Sequence, residues 1–147
     1  MQIFENEIWF SGEEDFLSNF YPAQVNYNGI TYPNNECAFQ AQKVLDKEIQ
    51  RQFAELKNPR SAKSKGRKVS LREDWEEVKF AIMEEIVKAK FTQNPKLKQL
   101  LLETGNKELQ ERRSRFPDKT WGMNGKGEGK NMLGKILMKV RLELTQL

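Results

Sequence analysis

The chain has 147 residues, enough for one sizeable core, and its 37% apolar and 31% charged residues make it too apolar for a disordered chain and too polar for a membrane protein. A single cysteine, Cys37, excludes an internal disulfide and a cysteine-based zinc site, while the absence of histidine excludes Ser-His-Asp and Cys-His catalysis. Proton chemistry therefore falls to carboxylates, lysines or tyrosines, and a net charge of +4 favours an anionic ligand such as a nucleotide phosphate or a nucleic acid.

The opening MQIFENEIWF has neither a basic leader nor a long apolar segment, so a cytoplasmic location without membrane association is the expectation. Ile8 to Phe10 read as a strand, followed by the turn-rich DFLSNFYP. Ala23–Tyr27 and Gly29–Tyr32 flank Asn28-Gly29, a dipeptide that accepts the positive φ values of a type I′ hairpin turn. After Pro33, Asn34 or Asn35 can cap a helix whose first turn contains Glu36.

Between Lys57 and Arg72 lie seven basic residues and no acidic one; the run reads either as a solvated connecting segment or as a phosphate contact. A helix should begin near Asp74 and run to about Phe91, burying the stripe Trp75, Val78, Ile82, Ile86 and Ala89. Asn94-Pro95 then starts a short helix that Gly105 ends, and Leu133, Ile136, Leu137, Val140 and Leu144 define a C-terminal helix. No repeat or linker divides the chain. Residues 1–147 read as a single α+β domain, mainly helical, with a small antiparallel sheet.

Two segments hold residues suited to chemistry. Glu36, Gln40 and Lys43 stand at i, i+4 and i+7, so a carboxylate, an amide and an amine share one helix face, which is either an ordinary solvated stripe or a convergent site. The segment from Asp118 through Trp121 leads to Gly125, Gly127 and Gly129 at alternate positions, then Lys130 and Asn131 at a helix start. It matches neither a Walker A loop nor a dinucleotide fingerprint, and reads either as a flexible turn or as backbone that approaches a ligand, with free helix amides for phosphate. Trp121 lies outside any amphipathic period, where an indole can pack on a base or ribose, whereas Trp75, Phe16, Phe20 and Phe39 read as core.

Taken together, the segments DFLSNFYP, YPNNECAFQAQK, AKSKGRKVSLREDW, KAKFTQNPKLKQLLLETG, DKTWG and GKGEGKNMLGKILMKVR resemble the NADAR, or YbiA-like, N-glycosidase family over nearly the whole chain. The resemblance implies hydrolysis of an N-ribosyl bond, in ribosylaminopyrimidine phosphates of riboflavin biosynthesis or in ADP-ribose attached to guanine of nucleic acid. It implies catalytic roles for Glu36, Lys43 and Asp118, and substrate contacts from Trp121, Gly122, Arg67, Gly129, Asn131 and Asn19, with no cofactor and no metal. Its implied partners are a phosphoribosyl or ADP-ribosyl small molecule, or nucleic acid carrying ADP-ribose. One position departs from the family pattern: Cys37 stands where a histidine commonly follows the glutamate, and free cysteine at such a place reads as a small core residue.

Two routes fit these residues. A neutral Lys43 can add to C1 of the ring-opened sugar and form a Schiff base, with Arg67 as a cation that depresses its proton affinity. Alternatively, a carboxylate activates water as the C–N bond breaks. A module that only binds ADP-ribose or nucleic acid is the non-catalytic alternative; it would need Lys43 only as a charge.

Overall fold

The structure, a computed structural model, describes all 147 residues. In chain order the elements are β1 (Gln2–Ile3), β2 (Glu7–Phe10), β3 (Pro22–Tyr27), β4 (Ile30–Asn34), α1 (Asn35–Ala41), α2 (Lys47–Glu55), α3 (Pro59–Gly66), α4 (Trp75–Gln93), α5 (Pro95–Glu103), β5 (Glu108–Glu111) and α6 (Met132–Thr145). The fold is α+β, and no helix is long and apolar enough to cross a membrane. The chain gathers into two compact units, Pro22–Asn94 and Met1–Tyr21 with Pro95–Leu147.

In the first unit β3 and β4 form the expected antiparallel hairpin, with Asn28 at φ 51° and Gly29 at φ 86° making the turn. Strand β4 runs directly into α1, and Asn34 caps the helix by accepting the N–H of Cys37 at 2.8 Å. All seven residues of α1 are buried, and the helix packs against α2, α3, α4 and both strands of the hairpin. A short helix at the centre of a unit ordinarily carries apolar residues only. This one carries Asn35, Glu36 and Gln40, so burial itself singles it out.

Two helices here were not expected from apolar spacing. Asp46 starts α2 by accepting from Glu48 N and Ile49 N, and Asn58 caps α3, with Pro59 in its first turn. Half of the basic run is thus helical rather than a connecting segment. Helix α4 agrees with its predicted span but buries a wider face: Met83, Val87, Lys90 and Phe91 join Trp75, Ile82 and Ile86, while Val78 and Ala89 lie at the margin. Asn94 closes α4 by donating to Lys90 O at 2.8 Å.

The second unit holds a three-stranded sheet in the order β1-β2-β5. Strands β1 and β2 are antiparallel, but β2 and β5 run parallel from the Glu7–Glu108 pair to Phe10–Glu111, so this sheet is mixed. Helix α6 packs on β5 and on α5, burying Leu133, Ile136, Leu137, Val140 and Leu144 as its spacing predicts. Gly105 follows α5 at φ 65°, the left-handed value its position requires.

Candidate active site

Glu36 and Gln40 lie one turn apart on α1, at 7% and 5% exposure, which removes the reading of a solvated stripe. Gln40 Nε2 donates to Glu36 Oε1 at 2.9 Å. The helix ends at Ala41, and the chain tightens: the N–H groups of Gln42, Lys43 and Val44 bond to the carbonyls three residues earlier. Lys43 therefore projects from one further tight turn instead of from the helix proper, and it is only partly buried.

That turn is held from two sides. Gln42 is buried and donates to Ala38 O at 3.0 Å and to the Tyr32 hydroxyl at 3.4 Å. From the other side, Arg72 donates its main-chain N–H to Lys43 O at 2.8 Å and its Nη1 to Gln42 O at 3.5 Å. Arg72 is itself fixed by a two-point bond to Asp74, Nε to Oδ1 at 2.6 Å and Nη2 to Oδ2 at 3.1 Å. Trp75, the first residue of α4, packs its ring 5.1 Å from that of Phe39 on α1.

Helix α3 comes so close to α1 at Gly66 that a β-carbon there would lie 1.9 Å from Gln40 Oε1. Lys63 and Arg67, one turn apart around Gly66, act electrostatically on Lys43, as does Lys79 of α4. Burial pushes the Lys43 ammonium below the ordinary lysine range; Glu36 opposes this, and Arg67, Lys63 and Lys79 push further down. Lys79 is ion-paired with Glu76 at 2.8 Å, which weakens its share. A buried carboxylate and an amine with reduced proton affinity thus stand together within residues 36–79, a pairing that suits a nucleophile with a proton shuttle. Lys63 and Lys79 are absent from the sequence-based set; the i, i+4 spacing of Lys63 with Arg67 is the signal for the first, and nothing in the chain order marks the second.

Cys37 is fully buried, and burial pushes its thiol up to about 11, away from nucleophilic chemistry. This agrees with a small core residue in place of the family histidine.

The remaining sequence-predicted residues lie in the other unit. Asp118 is a turn organiser: its Oδ1 accepts the N–H groups of Thr120 at 2.9 Å and Trp121 at 3.0 Å. The carbonyls of Lys119, Gly122, Thr120 and Trp121 accept in turn from the N–H groups of Lys130, Asn131, Met132 and Leu133. The helix amides expected to be free for phosphate are therefore engaged by main chain, because the DKTWG turn folds over the start of α6. Trp121 is partly exposed.

The glycines and the asparagine of this region serve the same closure. A β-carbon at Gly129 would lie 2.4 Å from Gly122 O, and one at Gly122 would lie 2.9 Å from Glu111 O. Asn131, at φ 51°, accepts Glu111 N–H at 3.1 Å and donates to Leu109 O at 3.0 Å, so both ends of its amide hold β5. Of the positions read as substrate contacts, Gly122 and Asn131 are buried against main chain, whereas Gly129 is exposed. Asn19 is buried within the tight turns that follow Asp15. No group of three or more Asp, Glu or Cys side chains is placed to hold a metal ion.

The geometry defines an α+β protein with a buried glutamate and a lysine of lowered proton affinity beside a basic helix. Comparison with known proteins gives the family. The NADAR domain model matches residues 5–145, and the chain belongs to the NADAR family. The chain is similar to the N-glycosidase YbiA of Escherichia coli (strain K12), 38% identical over 141 residues, covering 93% of this chain and 87% of that protein. It is also 37% identical over 149 residues to a riboflavin biosynthesis protein of Vibrio vulnificus (strain YJ016), covering 98% of this chain but spanning only 40% of that protein's length. The NMR structure of Escherichia coli YbiA superposes with a TM-score of 0.85 at 35% identity, covering 99% of this chain and 88% of that one.

Proposed function

We propose that the bond hydrolysed by this NADAR N-glycosidase joins C1 of a phosphorylated ribose to the amine of a heterocycle, and that Lys43 is the nucleophile. The observation that carries the proposal is the placement of Lys43 beside buried Glu36, with burial and the cations Arg67 and Lys63 lowering its hold on its proton. An ordinary lysine at neutral pH is neutral in only about one molecule in a few thousand; each unit by which its pKa is lowered multiplies that fraction about tenfold.

In this reading the ribosylamine opens to an imine, and the Lys43 amine adds to C1. The bond from C1 to the heterocyclic amine then breaks as that amine takes a proton, leaving a Schiff base on Lys43. Water adds to the Schiff base, and the carbinolamine collapses to free lysine and the sugar aldehyde, which closes again to the ring. Glu36 is the carboxylate that carries protons between these steps, since Asp118 Oδ1 is engaged in its turn. Lys63 on α3 and Arg67 at its C-cap supply positive charge for the substrate phosphate.

The test is to incubate the protein with a ribosylaminopyrimidine phosphate and, separately, with an oligonucleotide carrying ADP-ribosylated guanine, following base release by mass spectrometry. Addition of borohydride should leave a sugar-sized mass on Lys43, and Lys43→Arg should abolish both release and trapping. Release from only one substrate identifies the substrate class. Full activity in Lys43→Arg would overturn the nucleophile and leave water activated by Glu36; release from neither substrate would leave a binding module.

A further inference from the structure

Resting on that reading, we infer that Gln40 is the positioning residue of the site, holding the Glu36 carboxylate in one orientation while Gly66 locks Gln40 itself. The first observation is the bond from Gln40 Nε2 to Glu36 Oε1, 2.9 Å long and buried at both ends. A bond of this kind fixes the rotation of the carboxylate within the site.

The second observation is the other end of the same amide. Gln40 Oε1 is buried without a hydrogen-bond donor. An unsatisfied buried carbonyl is disfavoured, and packing alone would be served better by an apolar side chain of similar size. The amide is retained here because its N–H faces Glu36. The reverse orientation would set two oxygens against each other unless Glu36 carried a proton.

The third observation is Gly66, whose missing β-carbon makes the room that Gln40 Oε1 occupies, at 1.9 Å from where that carbon would stand. Gly66 is the last residue of α3 and has no positive φ that would call for glycine, so glycine is there for the close approach. Glu36 acts electrostatically on Cys37 of its own helix and on Lys43 after it, and Lys43 in turn feels Lys63 on α3, Arg67 at the C-cap of α3 and Lys79 on α4. None of them is substituted in the variants below.

The experiment follows the Glu36 carboxyl carbon by NMR in labelled protein through an acid titration, alongside the pH dependence of base release. Gln40→Met keeps the size of the side chain and removes the donor, so the Glu36 titration midpoint should rise by about one pH unit. Maximal rate should fall about tenfold. Gly66→Ala changes no polar group, yet should move both readouts in the same direction by displacing the amide. In a Gln40→Ala background, where the space is open, Gly66→Ala should move neither.

An unmoved Glu36 midpoint in folded Gln40→Met overturns the proposal. If that variant does not fold, Gly66→Ala decides, and an unmoved midpoint there overturns it equally. Because the carboxyl titration needs no substrate, a wild-type protein that releases no base would sink the functional reading without deciding the role of Gln40.

Discussion

The main-chain N–H of Arg72 donates to the carbonyl of Lys43 at 2.8 Å, so the position of the proposed nucleophile is set by a residue outside its own helix. The guanidinium of Arg72 reaches Gln42 O and is held by both oxygens of Asp74. Lysine cannot reproduce this two-point geometry. Arg72→Lys and Arg72→Ala should therefore each lower kcat for base release about tenfold, through misplacement of Lys43. Stability should change little, because the Asp74 side of the ion pair is exposed. Rates and urea unfolding measured on the same samples check this, and a variant with unaltered kcat would remove Arg72 from the site's support.

The charges around Lys43 give predictions of opposite sign. The nucleophile is the neutral amine, so the rate should rise with pH as Lys43 loses its proton, through a midpoint below the ordinary lysine range. Arg67 pushes that midpoint down, so Arg67→Ala should move the limb to higher pH and slow the reaction near neutrality several-fold. Glu36 pushes it up, so Glu36→Gln should move the limb to lower pH, while the loss of proton transfer cuts the maximal rate about a hundredfold or more. Profiles of kcat against pH for the three proteins check both directions, and a shift of the same sign in both variants would contradict the electrostatic account.

What the sequence shows of this arrangement, and what it hides, follows from the range of the interactions. The hairpin turn at Asn28-Gly29, the cap at Asn34 and the core stripe of α6 are local, and each is legible from a few adjacent residues. Helix α3 is short and basic, so apolar spacing does not reveal it, although Asn58-Pro59 repeats the Asn-Pro signal that marks α5. Strand β5 has one apolar residue within it, Leu109, and its parallel partner is near the other end of the chain. At the site, Glu36, Lys43 and Arg67 come together as the sequence suggests. Gly122 and Asn131 are buried against neighbouring main chain while Gly129 is exposed, and the sequence does not separate these cases, because glycine that lets backbone meet backbone has the same sequence signature as glycine that lets backbone meet phosphate.

Asn131 tests that distinction. Its amide makes two bonds to β5, and its backbone sits at φ 51°, which glycine accepts and alanine does not. Asn131→Gly should cost about 2 kcal/mol through the lost bonds alone, and Asn131→Ala about 1 kcal/mol more through backbone strain. Both variants should retain kcat within about a factor of two in the folded fraction, as expected of two lost structural bonds. Denaturant unfolding with kinetics on the same protein checks this; a large loss of kcat or a raised KM without loss of stability would return Asn131 to the substrate.

Lys90 carries the clearest dependence of stability on pH. It is fully buried on α4 and its ammonium is pushed down to about 7 by burial, against about 10.4 for a lysine in the unfolded chain. Between those values the unfolded chain binds a proton that the folded one does not, so stability contributed at this site rises with pH, by roughly 1.4 kcal/mol per unit, from about pH 7 towards pH 10. Below pH 7 both states hold the proton and the penalty is constant. Lys90→Met fills a similar volume without the charge, so it should be more stable than the parent by about 2–4 kcal/mol at pH 7, with the advantage shrinking steadily towards pH 10. Urea unfolding of parent and variant at several pH values measures the difference directly, and a constant difference across that range would mean that Lys90 keeps its proton in the folded protein.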